Sequence, residues 1–166
     1  TYNIFGFLIG LCVMRQITII ALLFFCSFSW AAEKTILTLK LGDRVINLSH
    51  QDILEFTTVE HTMKNVWVNK TVTYTGVKLS TIIKKYDITS EWLKMTAIND
   101  YSIKVPIVDA KKGAFIAYLA DGKPMKIRDK GPLWVLYPFG ENEELEIDTY
   151  HNRSIWQLKL IEESDG

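Results

Sequence analysis

The sequence predicts an α+β fold, a single strand-rich mixed domain over residues 32–166, on three observations. Stretches that alternate apolar and polar residues, residues 36–41 and 155–161 among them, read as strands with one wet face. Two unbroken apolar runs of strand length, residues 114–120 and 133–137, read as central strands buried on both faces. One segment carries a helical stripe: Leu79, Ile82, Ile83 and Tyr86 fall at i, i+3, i+4 and i+7, a face able to pack on a sheet. No internal repeat, low-complexity linker or second domain interrupts the pattern.

Residues 1–31 stand apart. Met14 and Arg15 open a positively charged start, residues 17–25 are nearly all apolar, and Ser29 and Ala31 are small residues flanking Trp30 ahead of Ala32. This is the pattern of a secretory signal peptide, with translation expected from Met14, cleavage before Ala32 and a periplasmic product. A membrane anchor is the competing reading, and it would tie the protein to the membrane only through an uncleaved signal segment. The run from residue 17 to residue 32 is shorter than the roughly 20 residues that span a bilayer.

Removing that segment takes Arg15 and no acid, leaving 18 Lys+Arg against 19 Asp+Glu, a formal charge of −1. No basic footprint for nucleic acid exists. Both cysteines, Cys12 and Cys26, leave with it, so the remainder needs no disulfide and offers no thiolate to a metal or substrate.

The elements follow in order. Residues 36–41 and 45–48, turned at Gly42-Asp43-Arg44, predict a β-hairpin. Ser49 and Asp52, three apart ahead of Ile53-Leu54, have the spacing of a capping box for a short helix. Residues 56–68 and 71–74 are rich in Thr, Val and aromatic residues and predict strands joined at Asn69-Lys70. The striped helix follows Gly76. Residues 92–98 and 101–105 bracket a turn at Asn99-Asp100, and the two buried runs come next. The acidic stretch 141–146 reads as loop or helix start, and residues 155–161 close the chain with Gln157 and Lys159 outward.

Several chemistries are excluded by what is missing. His50, His61 and His151 show no i, i+3 or i, i+4 pairing, so there is no zinc motif. No G-x-S-x-G elbow or G-x-x-x-x-G-K-[ST] loop occurs, and the acids of 141–146 lack the regular oxygen spacing around a glycine that calcium needs. Trp134 and Trp156 read as core residues that could line a ligand cleft.

Four separated motifs carry a resemblance. Tyr74-Thr75-Gly76-Val77-Lys78-Leu79 heads the helix, Asn99-Asp100-Tyr101 forms a strand junction, Asp121-Gly122-Lys123-Pro124-Met125 forms a turn ahead of Gly131-Pro132, and residues 150–158 close the domain. In order and spacing these resemble the oxidoreductase molybdopterin-binding (sulfite oxidase-like) domain family over residues 73–162. The resemblance implies that family's α+β fold and, in catalytic members, a molybdenum held by a cysteine thiolate ahead of the aromatic-x-Gly-Val segment. Here residues 55–73 contain no cysteine, and His61 is the metal-capable side chain left there. The family's arginine for the anionic pterin is replaced by Trp134. Lys130, Arg128 and Arg153 could supply charge nearby, so the resemblance implies a ligand or cofactor cleft of Tyr101, Arg128, Lys130, Trp134 and Arg153.

Three readings stand at this point. One is a non-catalytic periplasmic member that holds no cofactor and uses the family cleft for a small ligand or for a periplasmic or membrane protein partner. Another is a molybdopterin-dependent oxidoreductase with a non-cysteine metal ligand such as His61. The third is a structural envelope protein with no pocket function.

Overall fold

The computed structural model describes residues 33–165, of which those from Lys34 on belong to one compact unit. The expected signal peptide, residues 1–31, lies outside the described residues. The chain makes two sheets. The first is ordered β2-β1-β10-β5-β6, from β1 (Thr35–Leu41), β2 (Arg44–Ser49), β5 (Trp92–Ala97), β6 (Ser102–Pro106) and β10 (Leu158–Ser164). Its β1 and β10 run parallel, with Thr38 opposite Leu160 and Lys40 opposite Glu162, and its other pairings are antiparallel.

The second sheet is antiparallel and centred on β4 (Val68–Lys78) and β7 (Phe115–Ala120), with β3 (Thr58–Asn65) outside β4. On its other side β7 pairs with β9 (Trp134–Leu136) through its first half and with β8 (Lys123–Pro124) through its last two residues. Among the described residues three short α-helices connect the strands, α1 (His50–Leu54), α2 (Leu79–Tyr86) and α3 (Asp148–Arg153). The buried apolar residues of both sheets form one core cluster.

Local chemistry accounts for most of this. In β1, Leu37, Leu39 and Leu41 are buried while Thr38 and Lys40 are not, the alternation a one-sided strand requires. The capping box forms as expected: Asp52 N–H donates to Ser49 Oγ at 3.2 Å, and Ser49 N–H donates to Asp52 Oδ2 at 2.7 Å. These bonds satisfy end donors that a five-residue helix could not satisfy itself. In α2, Leu79 and Ile82 are buried, and the helix ends where Asp87 takes a left-handed conformation (φ 53). Four successive residues of β7, Phe115 to Tyr118, are buried, which makes it the central strand its apolar run predicts. Gly76 of β4 is required where it stands, because a Cβ there would run into the backbone of Ile116 and lie 2.8 Å from Ala117 Cα.

The structure departs from the sequence reading in three places. The turn between β3 and β4 falls at Val66-Trp67 rather than Asn69-Lys70. Asn65 sets it, accepting Trp67 N–H on Oδ1 at 3.1 Å and donating from Nδ2 to Tyr74 Oη at 3.0 Å, an Asx turn that carries an apolar tip. The run 133–137 is buried, but only Trp134–Leu136 is strand, paired with β7 on one side and bridged through Trp134 to Trp156 on the other. The last strand begins at Leu158, because residues 155–157 carry that bridge. The acidic stretch, read as loop or helix start, carries a single 3-10 turn over Glu143–Leu145, and α3 follows at Asp148.

Candidate functional site

Four tryptophan and histidine rings form a cluster where elements of both sheets meet. Trp67, at the β3–β4 turn, lies with its ring centroid 5.4 Å from Trp134, 6.2 Å from Trp156 and 5.7 Å from His151, each time edge to face. Such geometry sets the positive ring edge against a negative ring face. Trp134 is 1% exposed, and its Nε1–H donates to Ser154 O at 3.1 Å. Two clefts flank this cluster.

The basic cleft, of about 530 Å³, is lined by Lys70, Lys123, Arg128 and Lys130 together with Tyr74, Met125 and Trp134. The turn that positions Lys130 is tightly built. Lys126 O accepts both Asp129 N–H and Gly131 N–H at 2.8 Å, Lys130 is left-handed (φ 72), and the Gly131–Pro132 peptide is cis. No Cβ fits at Gly131, which packs on Met125 O. Gln157 N–H donates to Lys130 O at 3.0 Å, tying the turn to the approach to β10.

The side chain of Lys130 then lies with Nζ 4.1 Å from the Trp156 centroid and 5.4 Å from that of Trp134. Among the described residues it has no carboxylate partner, and burial against the indoles holds its pKa below the ordinary lysine value. The other charges of the cleft are better matched. Lys70 bonds Asp121 at 2.9 Å, and Asp121 also accepts Thr73 N–H. That bond raises the Lys70 pKa, and both bonds lower that of Asp121. Arg128, largely exposed, reaches Asp129 at 3.6 Å.

The aromatic cleft, of about 500 Å³, has Trp67, Trp156 and His151 as walls, Tyr101, Val66 and Asp148 at its rim, and Ala97, Ser154 and Ile155 at its floor. Three segments distant in sequence converge on it: the β3–β4 turn, the β5–β6 turn and α3 with the residues after it. Its lining holds no lysine or arginine. The clefts share the tryptophan cluster, since Lys130 of the basic cleft lies over Trp156 of the aromatic one.

Of the five residues expected to form one site, the structure brings Arg128, Lys130 and Trp134 together. Tyr101 lines the other cleft, 52% exposed. Arg153 lines neither. Its Nη1 donates to Asp109 Oδ2 at 3.0 Å and Oδ1 at 3.3 Å, while Tyr137 Oη donates to Oδ2 at 2.7 Å. Asp109 is 1% exposed, and a buried carboxylate demands a partner cation. His61 lies outside both clefts: Nδ1 is 2.7 Å from Glu141 Oε1, and its ring centroid is 4.8 Å from that of Phe115. Sequence reasoning missed Trp67, His151 and Asp148, which no motif singles out and only tertiary packing assembles.

The donor set does not fit a thiolate-held molybdenum cofactor. No cysteine falls among the described residues, and none of their His, Asp and Glu side chains gather in groups of three or more able to hold a metal. Trp134, which the sequence resemblance sets where an arginine is expected, has its Nε1–H committed to Ser154 O. A neutral indole cannot replace a guanidinium fork.

No family model matches the sequence, and no curated protein matches it. The structure is similar to the crystal structure of the sulfane dehydrogenase SoxCD from Paracoccus pantotrophus, with a TM-score of 0.58 and 14% identity over 78% of this chain. The chain spans 38% of that protein's chain. What the two share is the architecture, so this chain has a strand-rich α+β fold with a distant likeness to that of the sulfane dehydrogenase.

Proposed function

We propose that this domain is a non-catalytic binding module of the periplasm, whose basic cleft holds a small ligand that combines an anionic group with an apolar part. The observation that carries the reading is Lys130, an ammonium fixed over two indoles by a tightly built turn and left without a carboxylate partner among the described residues. A partly buried ammonium without a carboxylate partner among the described residues is a ready receptor for an anion, because part of the cost of ordering and drying the charge is already met by the fold. Arg128 and Lys123 add cationic side chains at the same cleft, and Met125 and Tyr74 add apolar wall. A volume of about 530 Å³ favours a small molecule over a protein loop.

Titration of tryptophan fluorescence with pterin-6-carboxylate, a flat anion, tests this. Saturable binding is expected, weakened about tenfold or more in Lys130→Met, as for loss of one charge-assisted contact, and unchanged in His61→Ala. Equal affinity for the wild type and Lys130→Met would refute the reading. Metal analysis of the same preparation is the companion test. Stoichiometric molybdenum, lost on His61→Ala, would install the molybdopterin oxidoreductase in its place.

A further inference from the structure

The aromatic cleft on the other flank of the tryptophan cluster has a chemistry of its own. Its one lining carboxylate is Asp148, at the start of α3 and without a basic partner among the described residues. An anion would find there a carboxylate and no lysine or arginine to receive it. A flat ring would find no slot, because Trp67 and Trp156 stand at 71° to one another with centroids 6.2 Å apart, a corner rather than a pair of parallel walls. Stacking on both faces of a ring needs near-parallel planes.

A rounded cation fits what is present. Near-perpendicular aromatic walls present π faces from two directions, and the ring quadrupole attracts a cation over each. Asp148 supplies formal negative charge at the rim, and Glu146, whose Oε2 is 3.8 Å from His151 Nε2, adds a second carboxylate behind the wall. Beside Asp148, the rim side chains Val66 and Tyr101 are 64% and 52% exposed and open to a ligand. The protein itself shows the chemistry at work, for Lys130 places an ammonium 4.1 Å from the Trp156 ring with no carboxylate partner among the described residues.

We propose that the aromatic cleft is a binding site for a compact organic cation, a quaternary ammonium or alkylated amine headgroup, held by Trp67, Trp156 and Tyr101 and balanced by Asp148. This site is separate from the basic cleft, and its occupancy does not depend on the anion reading given above.

The test compares two molecules of one shape. Choline and 3,3-dimethyl-1-butanol differ in the replacement of a quaternary nitrogen by carbon, so only charge separates them. Binding is followed by the indole N–H resonances of Trp67 and Trp156 in nuclear magnetic resonance spectra of the intact protein. Choline is expected to shift both resonances saturably and to bind about tenfold more tightly than the neutral alcohol, the scale of a partly desolvated cation–π contact. Asp148→Asn and Trp156→Ala, both at exposed or half-exposed positions, are each expected to weaken choline at least severalfold. Lys130→Met removes the resident ammonium from Trp156 and is expected to strengthen choline while weakening anion binding. Equal affinity for choline and the alcohol would overturn the proposal, as would choline affinity untouched by both Asp148→Asn and Trp156→Ala. Weakened choline binding in Lys130→Met would overturn it too, since removing a like charge from Trp156 can only favour a cation seated on that ring.

Discussion

Arg153 has the residue type of an anion-binding side chain and the position of a structural one. Its guanidinium and the Tyr137 hydroxyl close on Asp109, which is 1% exposed. Removing one partner of a buried pair strands the other, so Arg153→Met is expected to destabilise the fold by about 3–5 kcal/mol, read as a shift of the urea midpoint. Tyr137 gives the same network a pH signature. Burial, and then the Asp109 carboxylate, push its pKa far above the ordinary tyrosine value, so the folded chain keeps a proton that the unfolded chain releases near pH 10. The stabilisation is complete below that pH and declines as pH rises beyond it, by about 1.4 kcal/mol per pH unit for this one group. Denaturation at pH 9 and 11 should show a smaller decline in Tyr137→Phe, and identical declines would contradict the assignment. None of this was legible in the sequence, where Arg153 lies 44 residues from Asp109 and nothing announces that either is buried.

The elements were legible where one pattern decided them. Ser49 and Asp52 form the capping box that their spacing predicts, and residues 115–118 are buried as four apolar residues in a row require. Ile116→Asp is therefore expected to prevent folding, since it would bury an unpaired charge between β4 and β9. Val45→Asp on the edge strand β2, at a side chain 60% exposed, should stay within about 0.5 kcal/mol of the parent. Circular dichroism with chemical denaturation distinguishes them, and a folded, cooperative Ile116→Asp would refute the central placement of β7. The β3–β4 turn was not legible because its tip is apolar. Asn69-Lys70 looks like a turn by composition, yet Trp67 occupies the tip because its ring is needed in the cluster with Trp134 and Trp156.

At the scale of the molecule, the strand-rich α+β class could be read from alternation and apolar runs, whereas the division into two sheets and the parallel β1–β10 pairing could not. Parallel neighbours distant in sequence leave no local trace. The clefts share that obscurity, since residues 66–67, 97–101 and 148–156 meet only through the packed fold. One core cluster spans both sheets, so a chain from Ala32 to Gly166 is expected to unfold in a single calorimetric transition. With no cysteine after Cys26, its melting temperature should not move when a thiol reductant is added. Two transitions, or a shift with reductant, would contradict the single core.

The direct pairing of β1 with β10 also sets how the domain meets mechanical load. The two strands run parallel, Thr38 beside Leu160 and Lys40 beside Glu162, so the ends of the domain leave from opposite ends of one strand pair. A pull on those ends slides β1 against β10 along their length and strains all the rungs between them at once, where an antiparallel hairpin pulled from its open end would part rung by rung. Backbone hydrogen bonds loaded together must break together, which makes this pair a shear clamp. Extension between cysteines introduced at Lys34 and Asp165 in a force microscope should therefore give a single high-force rupture, whereas extension between cysteines introduced at Gly42 and Asp165, which pulls at the same end of the pair, should peel β1 from β10 at markedly lower force.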